Sequence, residues 1–226
     1  MNKNNSQSIH NVRWRRVIRL ILKDNPGTVL DIGCSSGYIS TFLVKRGISV
    51  FGLDIEQQKI SLSKREGIIV TVSDISRGLP YKDNFFDVVL AGEIIEHIID
   101  TDYFLEEAYR VLKDNGTLLI TTPNLVNLEN RLRILIGRYP IFVDYTSRGD
   151  NHVRAYTERA LVKQLKEKGF KIEVKTGSFA PLISYSKMKS INSLFMPILA
   201  TAGYLFPRLA IHVIVKARKI SPQNMQ

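Results

Sequence analysis

The apolar and polar positions follow two regimes along the chain. In the first half, short apolar runs of strand length alternate with stretches whose apolar residues recur every three or four positions. Thr28 to Ile32 is an apolar run that ends in a glycine-containing turn, Gly33 to Gly37. Tyr38 to Arg46 has a helical pattern and stops at Gly47. Ile48 to Leu53 reads as a second buried strand, followed by a polar helix from Glu56 to Arg65. Gly67 then precedes a third strand, Ile68 to Val72. After the turn-rich stretch Ser76 to Asn84, Phe85 to Ala91 reads as the fourth strand. Asp102 to Leu112 is helical, with Phe104, Leu105, Ala108, Val111 and Leu112 on one face. The turn Lys113 to Gly116 leads to a fifth strand, Thr117 to Thr121, closed by Pro123. Strands alternating with helices need crossover connections, which predicts a parallel sheet with helices on both faces.

The second half is less regular. Leu125 to Gly137 has the spacing of a basic amphipathic helix carrying Arg131 and Arg133. Glu158 to Lys168 is a helix with Thr157 as its N-cap and Gly169 as its stop. Phe170 to Thr176 and Ala210 to Ala217 read as a terminal strand pair. Between them, Ser190 to Pro207 runs for 18 residues without a charge. A membrane span needs about 20 apolar residues. Pro197, Pro207, Asn192 and Gly203 interrupt this stretch, so it reads as a greasy lid or an interfacial segment rather than a span.

Charge changes the picture of the second half more than of the first. Residues 1–123 hold 15 Lys and Arg against 15 Asp and Glu, while residues 124–226 hold 17 against 6, so the entire net charge of +11 lies there. A one-sided basic half suits an anionic partner, and the basic flanks Lys187, Lys189 and Arg208 suggest peripheral contact with an anionic membrane. A basic surface kept for solubility is the plainer alternative. Cys34 is the only cysteine, so no intrachain disulfide forms and zinc-ribbon spacing is absent. The polar stretch Met1 to His10 lacks the apolar region of a signal peptide. The expected setting is cytoplasmic, with peripheral membrane contact as an option.

The strand-to-helix turn at Gly33 is a ligand-binding geometry shared by several enzyme classes, because glycine lacks the Cβ that would block approach. A dinucleotide fingerprint needs glycines at relative positions 1, 3 and 6. Counted from Gly33, the last two are Ser35 and Tyr38. A P-loop needs Gly-Lys-Ser/Thr, which the chain lacks. Gly33-Cys34-Ser35-Ser36-Gly37 formally matches the nucleophile elbow of serine hydrolases, with His152 or His212 as nominal partner. That elbow normally follows a central strand late in the sheet, whereas only one helix precedes this turn.

The ordered set of strand-end residues resembles class I S-adenosylmethionine-dependent methyltransferases over residues 28–176, in particular the ubiquinone-pathway and type 11 methyltransferase-domain proteins. Asp31-Ile32-Gly33-Cys34-Ser35-Ser36-Gly37 is similar to their first motif, with Ser35 in place of the middle glycine. Gly52-Leu53-Asp54 resembles the second, in which the carboxylate accepts the ribose hydroxyls. Val72-Ser73-Asp74-Ile75 resembles the third, in which an aspartate takes the adenine amino group and the next apolar residue flanks the ring. Phe86 to Ala91 and Leu112 to Ile120 resemble the family's fourth strand and its approach to the fifth.

The resemblance implies an α/β fold, a doubly wound Rossmann-like sheet of seven mostly parallel strands with an antiparallel terminal strand and helical inserts forming an acceptor lid. It implies one domain, with an N-terminal helical segment (1–26), a cofactor-binding half (27–123) and a substrate half (124–226) whose inserts are 124–154 and 180–207. The implied cofactor is S-adenosylmethionine, bordered by Asp31, Gly33, Cys34, Ser35, Gly37, Asp54, Ile55, Asp74, Ile75, Ala91 and Glu93.

Glu93-Ile94-Ile95-Glu96-His97 follows the fourth strand. On a helix, Glu93, Glu96 and His97 would share one face. The segment also resembles small-RNA 2′-O-methyltransferases, in which two glutamates, a histidine and a distant histidine bind a divalent metal, and His152 is the candidate for the distant one. A metal-free role is the leading reading, with His97 and His152 as catalytic base or acceptor contacts. The acceptor is expected to be a small molecule, a glycan or a lipid precursor, methylated at oxygen. An RNA 2′-O-methyltransferase and a non-catalytic cofactor-binding partner are the alternatives. Nucleic acid is disfavoured by the lack of a basic stripe interleaved with aromatics. The oligomeric state is not readable.

Overall fold

In the computed structural model, residues 3–58, 66–143, 146, 152–180 and 196–221 are described. The expected polar helix beyond Gln58 and the first part of the 180–207 insert, with Lys187 and Lys189, lie outside them.

Seven strands form one sheet in the order β3-β2-β1-β4-β5-β7-β6. They are β1 (Thr28–Ile32), β2 (Ser49–Asp54), β3 (Ile69–Val72), β4 (Phe86–Gly92), β5 (Leu112–Pro123), β6 (Phe170–Gly177) and β7 (His212–Lys219). The first five are parallel, and β7 runs antiparallel between β5 and β6. The helices are α1 (Lys3–Leu22), α2 (Tyr38–Val44), α3 (Thr101–Val111), α4 (Leu128–Leu135), α5 (Glu158–Glu167) and α6 (Met196–Leu205).

Alternation along each strand sends successive side chains to opposite faces, so both faces are apolar. Val29, Val50, Val88 and Leu90 pack under Val17 and Ile21 of α1 and Ile39 and Leu43 of α2. Leu30, Ile32, Leu53 and Val89 pack on the other face, under Phe104, Leu105 and Ala108 of α3 and Leu161 and Leu165 of α5. A smaller cluster of Phe179, Met196, Leu199 and Ile211 seats α6. There the helix comes so close that a Cβ on Gly203 would lie 2.4 Å from the Phe179 Cα.

The expected turn at Lys113 to Gly116 lies inside β5. The register steps from Phe86–Leu112 to Val88–Thr117, and the three extra residues bulge out around Asn115, whose φ is 59°. Helix α3 therefore passes into β5 with no separate loop. No helix among the described residues is long and apolar enough to cross a membrane.

Candidate active site

Five loops leave the C-terminal ends of the parallel strands, and the sheet order reverses between β1 and β4. In open α/β sheets this switch point is where ligands bind. Gly33, Ser35 and Gly37 all have left-handed backbones, at φ 72°, 47° and 75°. The turn is thereby wound back tightly enough for Gly33 N–H and Cys34 N–H to donate to the Leu53 carbonyl. Ser35 N–H donates to the Asp54 carboxylate at 2.9 Å, and the other Asp54 oxygen accepts from Glu56 N–H at 3.0 Å. Cys34 turns its thiol toward Gly52.

Asp31 is buried beneath the turn, where Ser40 Oγ of α2 donates to it at 2.5 Å. Burial, and then the nearby charge of Asp54, raise its pKa to about 6 against the relief from Ser40. Asp74 is exposed at the end of β3. It caps a short 3-10 turn by accepting from Ser76 N–H at 2.9 Å, which holds its carboxyl below the usual range. Ile55, Tyr38 and Val72 are exposed apolar side chains around the same edge, whereas Ile75 is half-buried and Ala91 is wholly in the core.

The segment after β4 departs from the expected helix. Glu93 has φ 58°, and only Ile95–His97 forms a 3-10 turn, so Glu93 does not share a face with Glu96 and His97. A left-handed residue at the strand exit breaks the helical path before an α-turn can form. Glu93 instead points toward α1 and β7. Arg13 reaches it at 2.7 Å, Thr121 Oγ1 donates to it at 2.9 Å, and His212 Nε2 lies 3.5 Å away. Burial pushes the Glu93 carboxyl up, but Arg13, His212 and the hydrogen bonds outweigh it and hold it low. Trp14 closes over the same strand end, where a Cβ on Gly92 would meet its ring at 2.9 Å.

Glu96, His97 and His152 come together, with ligand atoms all within 4.8 Å of one another. Chain proximity does not do this. The Glu96 carbonyl accepts from Val153 N–H at 2.9 Å and from Arg154 N–H at 3.1 Å, which pins the distant segment beside the strand end. The two imidazoles lie 4.8 Å apart between centroids. His152 Nδ1 is 3.1 Å from the Phe142 carbonyl, which in the neutral ring makes Nδ1 the donor and Nε2 the basic nitrogen. Glu96 is buried; Thr122 donates to Oε2, while Oε1 has no hydrogen-bond partner among the described residues. Burial and the Glu93 charge raise its pKa to about 8.

A groove of about 1080 Å³ runs between α1 and α2, lined by Trp14, Ile18, Tyr38 and Phe42 among others, but Asp54, Asp74 and Glu93 do not line it. The strand edge, not this groove, collects Asp54, Asp74 and the Glu96–His97–His152 cluster. Arg13, Thr121, Thr122 and His212 complete that edge, and nothing in the sequence pairs them with Glu93 or Glu96. The two threonines ending β5 were the one available signal, since buried hydroxyls at a strand's C-terminal end need polar partners.

A sheet of this order, with a glycine turn after β1 and carboxylates ending β2 and following β3, defines the class I S-adenosylmethionine-dependent methyltransferase fold. Residues 30–120 match the methyltransferase domain family. A ubiquinone biosynthesis O-methyltransferase of Pelagibacter ubique is 34% identical over 100 residues, 42% of this chain and 42% of the relative. One from Rhizobium johnstonii is 28% identical over 161 residues, covering 68% of this chain and 64% of the relative. Four such relatives are matched over only 32–42% of their own length, so the chain spans less than half of each. The crystal structure of an S-adenosylmethionine-dependent methyltransferase from Archaeoglobus fulgidus superposes with a TM-score of 0.65 at 19% identity, covering 92% of this chain and 94% of that one. Over residues 30–120 the chain is similar to the methyltransferase domain family, and its fold is that of the class I S-adenosylmethionine-dependent methyltransferases.

Proposed function

We propose that the chain transfers a methyl group from S-adenosylmethionine to a hydroxyl of a small-molecule, glycan or lipid-precursor acceptor. The observation that carries this reading is the placement of the Glu96–His97–His152 cluster on the same sheet edge as the glycine turn, Asp54 and Asp74. The residues fit the cofactor. The turn keeps Gly33 and Gly37 free of Cβ atoms, a carboxylate ends β2, and exposed apolar side chains border both. The turn, Asp54 with Ile55, Asp74 with Ile75, and Glu93 would hold it, with Asp31 bracing the turn from below. When bound, the cofactor supplies a methyl already activated on a sulfonium, so alignment and exclusion of water are the main demands.

A hydroxyl acceptor must also lose a proton. His152 Nε2 is the nitrogen placed to take it, with its ring held by the Phe142 carbonyl, and His97 faces the acceptor from the exposed side. A second reading rests on the orphaned Glu96 oxygen. Glu96, His97 and His152 would together hold a divalent cation, which would lower the hydroxyl's pKa. The named activity of the ubiquinone-pathway relatives supports oxygen as the methylated atom.

Calorimetric titration with S-adenosylmethionine tests the cofactor assignment. Asp54→Ala is expected to weaken binding about tenfold or more, on the order of 1.4 kcal/mol. Binding as tight as the parent's would overturn that role. Radiolabelled methyl transfer into a fractionated lysate reads the acceptor, with label expected in the lipid or small-molecule pool. Label confined to RNA would favour the RNA reading instead, and no transfer despite tight cofactor binding would favour a non-catalytic partner. Chelator treatment separates the two histidine readings: full activity is expected for a histidine base, and loss restored by magnesium or manganese for a bound cation.

A further inference from the structure

Helix α4 is amphipathic in the inverted sense. Its buried side is polar, with Asn127 and Asn130 inaccessible and Glu129 nearly so. That side is fully bonded. Asn127 caps the helix by accepting from Asn130 N–H at 3.0 Å and donates to the Asn124 carbonyl at 2.8 Å. Asn130 donates to the carbonyls of Leu125 at 2.9 Å and Ile141 at 3.2 Å, and accepts from Ile141 N–H at 2.7 Å. These bonds lock the rotation of the helix about its axis. Its apolar residues consequently face outward, with Leu132 55%, Leu135 81% and Ile136 64% exposed. Water alone gives no reason for such an arrangement.

The patch continues onto the end of α6, where Leu205 and Phe206 are exposed at 61% and 59%. The Arg131 guanidinium of α4 lies 3.5 Å from the Arg208 carbonyl just beyond α6, and Asn124 donates to the same carbonyl. Arg131, Arg138 and Arg208 are exposed around this surface, Arg208 also pairing with the buried Glu158 at 3.3 Å. Across residues 124–143 and 196–211 the only acidic residue is Glu129, buried and 3.6 Å from Arg133.

We infer that α4 and the end of α6 form a docking face for an anionic lipid bilayer. Exposed leucine and isoleucine supply the apolar area that inserts at the headgroup boundary, and the arginine rim matches anionic headgroups. A second copy of the chain fits poorly. A two-fold contact places each patch against itself, and here that would set arginines against arginines with no exposed carboxylate among the described residues of the patch to relieve them. The face differs from the one composition suggested, since it is built from α4 rather than from the 190–207 stretch alone. Because α4 follows the C-terminal end of β5, docking turns the Glu96–His152 edge toward the membrane, which suits a lipid-like acceptor.

The test is co-sedimentation of the full chain with vesicles of phosphatidylcholine alone or mixed with phosphatidylglycerol, read without any methyl-transfer assay. Pelleting is expected only with phosphatidylglycerol present, and added salt should weaken it. Leu135→Glu, at an exposed position, should keep the parent's melting temperature and cut binding more than about tenfold, since a charge replaces an inserted apolar side chain. Arg138→Glu should weaken binding about fivefold or more, as expected when a basic residue near an anionic surface is reversed. No pelleting with phosphatidylglycerol, equal pelleting with both vesicle types, or parent-like binding by Leu135→Glu overturns the proposal. A lipid-free dimer that Leu135→Glu dissolves would also overturn it, by making the face an interface between copies.

Discussion

Asp31 lies beneath the glycine turn, in a layer whose other buried residues are apolar apart from Ser40. Its carboxyl is raised to about 6 by burial and by Asp54, with one hydrogen bond from Ser40 in partial relief. The sign of the consequence follows from linkage. The folded state binds this proton more tightly than the unfolded chain, so Asp31 costs nothing below the unfolded value near 3.8 and progressively more as pH rises through about 6. Asp31→Asn is therefore expected to be more stable than the parent at pH 8, by on the order of 2–3 kcal/mol at most. That gain should vanish toward pH 4. Urea unfolding at several pH values measures it, and a pH-independent difference would count against the burial argument. Ser35 carries a related cost, because its left-handed backbone at φ 47° is one that glycine adopts freely and L side chains resist. The carboxylates at strand ends were readable as residues. The meeting of Arg13 and His212 with Glu93 was not, because it joins positions from opposite ends of the chain.

At the scale of elements, periodicity located most helices and strands to within a few residues but did not say which side of a helix faces inward. Leu125 to Gly137 carries the pattern of a basic amphipathic helix, and the structure buries its polar side. The asparagines decide this, because their side chains satisfy the backbone groups of Leu125 and Ile141 that would otherwise be stranded. Asn130→Ala should then cost about 2–3 kcal/mol, the range expected when buried donors and acceptors lose their partner. Chemical denaturation reads the loss directly, and a change below about 0.5 kcal/mol, the usual size of a surface substitution, would show that the asparagine lattice does not hold the helix. The Glu93–His97 segment shows the complementary failure. Its spacing is helical, yet the strand exit forces a left-handed residue and a 3-10 turn, which separates Glu93 from its neighbours.

The whole molecule is tied together by its first helix. The Arg16 guanidinium of α1 donates to the carbonyls of Gly177, Ser178 and Ala200, joining the N-terminal segment to the end of β6 and to α6. Arg16→Met keeps most of the side-chain volume but leaves three carbonyls short of a donor. It should lower the unfolding free energy by about 2–4 kcal/mol. A urea midpoint equal to the parent's would refute that role. The same scale explains the sheet: β7 is last in sequence yet lies between β5 and β6, so its neighbours are fixed by packing rather than by chain order.

By itself the sequence determined the alternation of strands and helices, the parallel sheet, the glycine turn and the order Asp31, Asp54, Asp74 along one edge. Those features are local. Each is set by side-chain periodicity or by backbone freedom within a few residues. Only the tertiary structure decided that His152 joins Glu96 and His97, that Glu93 turns to Arg13 and His212, and that α4 shows its leucines to the outside. The first two depend on hydrogen bonds between segments far apart in the chain, and the third on asparagine bonds to Leu125 and Ile141 across a loop; neither kind of pairing leaves a periodic trace for a local pattern to carry.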